Sequence, residues 1–121
     1  MAKTILVVDD QPYLRDVQVL LLKDAGYAAT AIATGTEALA RLSDIKPDLI
    51  LLDISMPGMN GHQFLSRLRA DGAWDRLPVI LSSGLLADDM EDNHGPGVEL
   101  LPKPFNDAAL LARVRRLIGD A

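Results

Sequence analysis

Residues 4–26 read TILVVDDQPYLRDVQVLLLKDAG, and the order of these residues decides the class of fold. Four consecutive apolar residues, Ile5 to Val8, run straight into two aspartates. An unbroken apolar run is expected of a parallel strand covered on both faces, whereas a strand with one wet face alternates. Pro12 then opens a helix, because its ring fixes φ near the helical value and the amide hydrogen it lacks would have no partner in a first turn. Leu14, Val17, Leu21 and Ala25 fall on one face of that helix, and Gly26 sits where a C-cap would end it.

The same unit repeats outward from this stretch. Apolar runs at 28–32, 49–52, 79–81 and 98–101 give four more short strands. Thr36, followed by Glu37, Ala38, Leu39 and Leu42, gives a capped short helix that Pro47 prevents from continuing. After Gly61, the spacing of Phe64, Leu65 and Leu68 gives a third helix. A last one starts near Asn106 or Asp107, turns Leu110, Leu111, Val114, Leu117 and Ile118 inward and Arg113, Arg115 and Arg116 mostly outward, and stops at Gly119. Between the fourth and fifth strands, residues 84–97 carry Asp88, Asp89, Glu91 and Asp92 and then Asn93, His94, Gly95, Pro96 and Gly97. Such residues end helices, so the helix here is expected to be short or irregular. Alternating strands and helices of this kind make an α/β fold with a parallel sheet buried on both sides.

Composition narrows the functions. The 121 residues have the size of one domain, so no second output domain is expected within them. Hydrophobic residues make up 49% and charged residues 24%, which excludes disorder as the default state. Seventeen acidic residues against 12 basic ones give a net charge of −5, and the basic ones are scattered, so direct nucleic-acid binding is not expected. There is no Cys, and His62 and His94 are the only histidines, which removes disulfides, thiolate nucleophiles and Cys- or His-rich metal sites. Any metal must be held by oxygen. No signal-peptide pattern or long apolar stretch is present, so a cytoplasmic protein without membrane contact is expected.

In open α/β sheets, ligands bind beyond the carboxyl ends of the strands. The polar residues follow that rule: Asp9 and Asp10 follow the first strand, Asp53 ends the third, Ser82, Ser83 and Gly84 end the fourth, and Lys103 follows the fifth. Asp48 begins its strand and belongs to the opposite edge. Three carboxylates gathered together repel one another unless a cation neutralises them. Oxygen ligands completed by water suit Mg²⁺, and with Lys103 the formal charge of such a site is balanced.

Four blocks at four strand ends, ILVVDDQP, LILLDISMPGMNG, PVILSSG and LPKPF, together resemble the receiver domain of two-component response regulators of the CheY-like kind, over nearly the whole of residues 1–121. The resemblance implies a single flavodoxin-like (βα)5 domain with strand order 2-1-3-4-5. It also implies phosphoryl transfer from a phosphohistidine, on a histidine kinase or a histidine phosphotransfer protein, to Asp53. Asp10 is then expected to bind Mg²⁺ directly and Asp9 through water, with Asp53 as nucleophile and ligand and the backbone carbonyl of Ser55 as third protein ligand. Lys103 and the Ser83 hydroxyl contact phosphoryl oxygens, and Gly84 leaves room for the group. Gln11, Ser55 and Leu85 flank the pocket. Beyond its own phosphorylation and dephosphorylation no enzyme activity is expected, and the output passes to an effector protein from a monomer or a weak phosphorylation-dependent dimer.

One place departs from the family pattern. Three residues before the Lys the family carries an aromatic side chain that turns inward on phosphorylation, and Leu100 stands here. With the acidic, Gly-Pro-interrupted segment beside it, this suggests an output face that orders and disorders rather than exchanging rotamers. Two other functions compete. An Asp-nucleophile phosphatase of the haloacid dehalogenase kind has a second Asp two residues after the nucleophile, where this chain has Ser55. A pseudo-receiver would bind partners without accepting phosphate, yet all the acceptor-site groups are present. The plainer expectations are that Ser82 satisfies backbone groups, that His62 and His94 are surface residues, and that Tyr13, Tyr27 and Trp74 are packing residues. A stand-alone regulator is expected rather than a piece of a hybrid kinase.

Overall fold

The computed structural model describes residues 2–53, 61–70, 72–74, 76–83, 98–102 and 106–119. Its five strands are β1 Thr4–Val8, β2 Ala28–Ile32, β3 Leu49–Asp53, β4 Val79–Ser83 and β5 Val98–Pro102. They form one parallel sheet of order β2-β1-β3-β4-β5. The described helices are α1 Pro12–Asp24, α2 Gly35–Ile45, α3 Gly61–Ala70 and α4 Asp107–Ile118, with a 3₁₀ turn at Gly72–Trp74. Among the described residues no helix is long and apolar enough to cross a membrane. Residues 84–97, where a short or irregular helix is expected, lie outside the described residues.

Successive strand side chains point to opposite faces, so a strand buried on both sides must be apolar at every position. β1 and β3 meet that condition and split the core in two. Leu6, Val8, Ile50, Leu52 and Leu81 pack with Ala38 and Leu42 of α2 and Phe64 and Leu68 of α3. Ile5, Val7, Leu49, Leu51 and Ile80 pack with Leu22 of α1 and Leu110 and Val114 of α4. Full burial of each such side chain is worth about 1.5–3 kcal/mol, so the central strands dominate the favourable energy.

The helix caps refine the reading of the sequence. α2 is capped by Thr34, not Thr36: the Thr34 hydroxyl accepts the Glu37 amide at 3.1 Å, and the Thr-x-x-Glu spacing from 34 to 37 is that of a capping box. Pro47 follows a left-handed Lys46 that ends the helix. α4 is capped as expected, with Asn106 accepting the Ala109 amide at 2.7 Å and Gly119 at its end with φ of 80°. Arg113 donates to the Leu100 carbonyl at 2.8 Å, and both Arg113 and Arg116 pair with Glu99, which seats α4 on β5.

The inward face of α1 is turned from the expected one: Leu21 and Ala25 pack half-buried against the core as expected, but Val17 does not. Gln18 and Leu22 are buried, while Val17 is 42% exposed, Leu20 62% and Tyr13 76%. Residues 19–22 are apolar in every direction, so periodicity could not choose among the faces. Tyr13 is therefore a surface residue, whereas Tyr27 is buried and donates its hydroxyl to the Gly119 carbonyl at 2.7 Å. Trp74 packs half-buried against the α2–α3 side of the core, as expected.

Gln18 is only 5% exposed and its Oε1 is buried without a hydrogen-bond partner, a cost of about 1–3 kcal/mol. Gln18→Leu should therefore raise the stability of the domain by about 1 kcal/mol, seen as a higher denaturation midpoint at unchanged m-value. A lower midpoint would show that the amide is satisfied.

Candidate functional site

Register brings the acids together. Val8 pairs with Leu52 on one side and with Ile32 on the other, so Asp9 and Asp53, each one residue further on, emerge level at the carboxyl edge. Asp53 is itself in register with Ser82 of β4. Backbone pairing thus delivers Asp9 and Asp53, and Asp10 follows in the turn after β1. Asp9, Asp10 and Asp53 each present a carboxylate oxygen within 4.8 Å of the others. Two unit charges at that separation repel by about 3–4 kcal/mol at an effective dielectric of about 20.

The two acids after β1 are held differently. Asp9 is buried and firmly tied: its amide donates to the Ile32 carbonyl at 3.2 Å, its Oδ1 accepts the Gln11 amide at 3.0 Å, and its carbonyl accepts Arg15 Nη1 at 2.9 Å. Asp10 is half-buried, and its Oδ1 is shielded from solvent without any hydrogen-bond partner. A buried carboxylate oxygen in that condition carries a desolvation cost that a bound cation removes. The donor set is entirely carboxylate oxygen, which suits a hard ion such as Mg²⁺ that keeps part of its water. On donor chemistry and on the orphaned Asp10 oxygen, the residues present fit that ion.

The other expected site residues divide. Ser83 is the last residue of β4, in register with Pro102, the residue before Lys103. Ser55, Gly84, Leu85 and Lys103 lie outside the described residues. Ser82 is buried and donates its hydroxyl to the Leu52 carbonyl at 3.3 Å, the backbone role expected of it. Asp48 sits at the far edge, where its carboxylate accepts the Thr4 amide at 2.7 Å. Leu100, in the family's aromatic position, is half-buried against the α2–α3 side of the core. His62 is exposed on α3. Sequence reasoning missed Arg15, whose contact with a main-chain carbonyl has no signature in residue spacing.

Residues 5–115 match the family described as "Response regulator receiver domain". The chain belongs to that family. It is 36% identical to the DNA-binding response regulator MtrA of Mycolicibacterium smegmatis over 95% of its own length and 50% of the relative's. To the phosphate regulon transcriptional regulatory protein PhoB of Pseudomonas aeruginosa it is also 36% identical, over 98% of this chain and 52% of that one. The chain thus spans about half the length of these curated relatives. Among solved structures, the chemotaxis protein CheY4 of Vibrio cholerae superposes with a TM-score of 0.87 at 29% identity, covering 98% of this chain and all of that one. The receiver domain of the sensor histidine kinase PA1611 of Pseudomonas aeruginosa does so with a TM-score of 0.87 at 29% identity, over 99% of this receiver and 100% of that chain, and holds a magnesium ion in its active-site cleft.

A cation that relieves the three carboxylates must stabilise the folded receiver. Mg²⁺ at ten times its dissociation constant should add about 1.4 kcal/mol, read as a rise in melting temperature. Asp10→Asn should melt higher than the wild type without Mg²⁺, because one repulsive charge is gone, and should gain less when Mg²⁺ is added. Equal Mg²⁺ responses in the two proteins would contradict the site.

Proposed function

We propose that this receiver accepts a phosphoryl group on Asp53 from a phosphohistidine of a histidine kinase or histidine phosphotransfer protein, and passes the signal on through protein contacts. The observation that carries the reading is the three-carboxylate cluster at the carboxyl edge with Asp10 Oδ1 left unpartnered. Family membership over residues 5–115 supports it.

In this reading Asp10, Asp53 and the Ser55 carbonyl would hold Mg²⁺, with Asp9 acting on it through water. A bound ion would supply positive charge that offsets the carboxylates as a dianionic phosphoryl group approaches. An Asp53 carboxylate oxygen forms the new bond to phosphorus as the bond from phosphorus to the donor's imidazole nitrogen breaks. The bonding pair stays on that nitrogen, which takes up a proton. A loose transition state of this kind asks for in-line positioning and charge compensation rather than covalent help. Lys103 pairs with one phosphoryl oxygen and the Ser83 hydroxyl donates to another. The product carries about one more negative charge than the carboxylate it replaces, and that change is the input of the switch. The chain modifies itself once and hands its state to an effector, acting in the cytoplasm without contacting nucleic acid.

The surface beside the pocket supports a protein donor. α1 starts two residues after Asp10 and leaves Tyr13, Val17 and Leu20 exposed along one stripe. A partner delivering phosphate to Asp53 would cover this stripe.

Two measurements test the reading. With acetyl phosphate and Mg²⁺ the intact mass should rise by one phosphoryl group, and neither omission of Mg²⁺ nor Asp53→Asn should allow the gain. A gain that persists in Asp53→Asn would place the acceptor elsewhere, and no gain in the wild type would favour a pseudo-receiver. In the second, Tyr13→Ala with Val17→Ser should slow transfer from a phosphorylated cognate kinase by about tenfold, equivalent to about 1.4 kcal/mol of contact energy, and leave acetyl phosphate turnover unchanged. Equal slowing with both donors would mean that the stripe acts on the pocket rather than on the partner.

A further inference from the structure

Asp10 has to aim a carboxylate oxygen at the metal position, yet no hydrogen bond to Oδ1 directs it. Its direction is set by the backbone beneath. That backbone begins with the peptide joining Asp9 to Asp10, a rigid planar unit, so fixing its oxygen constrains ψ of Asp9 and φ of Asp10 together. The oxygen is the one that accepts Arg15 Nη1 at 2.9 Å. Asp9 is tied elsewhere too: its amide donates to the Ile32 carbonyl on its amino side, and its Oδ1 accepts the Gln11 amide. The Gln11 bond closes a turn across this same peptide from the side-chain side, and Arg15 holds its oxygen directly. Arg15 is half-buried in the first turn of α1 and forms no ion pair among the described residues, so this carbonyl is its attachment.

We propose that Arg15 is a positioning residue for the metal site: by holding the Asp9–Asp10 peptide plane it aims the Asp10 carboxylate and so sets the affinity for Mg²⁺. This deepens the reading above and rests on it. Arg15 has two opposite influences, and their signs separate them. As a nearby positive charge it repels a cation, so its removal would tighten Mg²⁺ binding. As a positioning group its removal loosens it. Groups that orient metal ligands are typically worth 10–100-fold in affinity, which is larger than the influence expected of one half-exposed charge.

The test uses the full chain, MgCl₂ alone and no phosphate donor. Arg15→Met keeps the aliphatic stem and removes both charge and donors; Arg15→Lys keeps the charge with a shorter reach. Calorimetric titration should show Mg²⁺ bound about tenfold more weakly by Arg15→Met, with Arg15→Lys between it and the wild type. Amide exchange at Gln11 should quicken in the same order, since its acceptor is on Asp9, while far-UV circular dichroism stays unchanged. Equal or tighter Mg²⁺ binding by Arg15→Met overturns the proposal. If that variant does not fold, Arg15→Lys decides: wild-type affinity and wild-type Gln11 exchange overturn it. A wild-type chain with no affinity for Mg²⁺ overturns the metal reading itself and this inference with it.

Discussion

Three like charges held within hydrogen-bonding range of a single point are the constraint on which the rest of the molecule depends. The like charges of Asp9, Asp10 and Asp53 do not draw one another together, and at a few ångströms they repel by about 3–4 kcal/mol per pair. They meet because β1 and β3 are neighbours in register, and the register is held by apolar side chains buried on both faces of the sheet. The stability of the two cores opposes the repulsion of the pocket. A bound cation would relieve the repulsion and a phosphoryl group would change the charge again, so in the proposed function the same unfavourable cluster answers to both.

The helices divide the work around this edge. α2 and α3 close one face and α4 the other, where Glu99, Arg113 and Arg116 seat it on β5. α1 does more. Its inner face, with Leu22 and Gln18, joins the core, its first turn sends Arg15 back to the Asp9 carbonyl, and its outer face leaves Tyr13, Val17 and Leu20 in solvent. One helix thus connects the sheet, the acid turn and the surface that a phosphate donor would meet.

Most of the fold and the acids of the site were legible in the sequence. Unbroken runs such as ILVV and LILL mark strands buried on both sides, and acids directly after such runs fall at the carboxyl edge by geometry. The strand order came from likeness to a family, since five equivalent apolar runs carry no order of their own. What could not be read has physical causes. The run VLLL at 19–22 presents apolar surface in all directions, so the buried face of α1 was set by its fit to the sheet, and a glutamine ended up inside. Thr34 and Thr36 both stand near the start of α2, and only the three-residue spacing of Thr34 to Glu37 selects the cap. Arg15 binds a main-chain oxygen, and main-chain partners leave no trace in side-chain pattern.

The most direct test of the acid pocket is an anomalous difference map from crystals of this domain soaked in Mn²⁺, a hard ion that can stand in for Mg²⁺. A single strong peak is expected within coordination distance of the Asp10 and Asp53 carboxylates, with Asp9 one water further out. No peak at saturating Mn²⁺, or a peak held by other residues, would contradict the role given to the three acids.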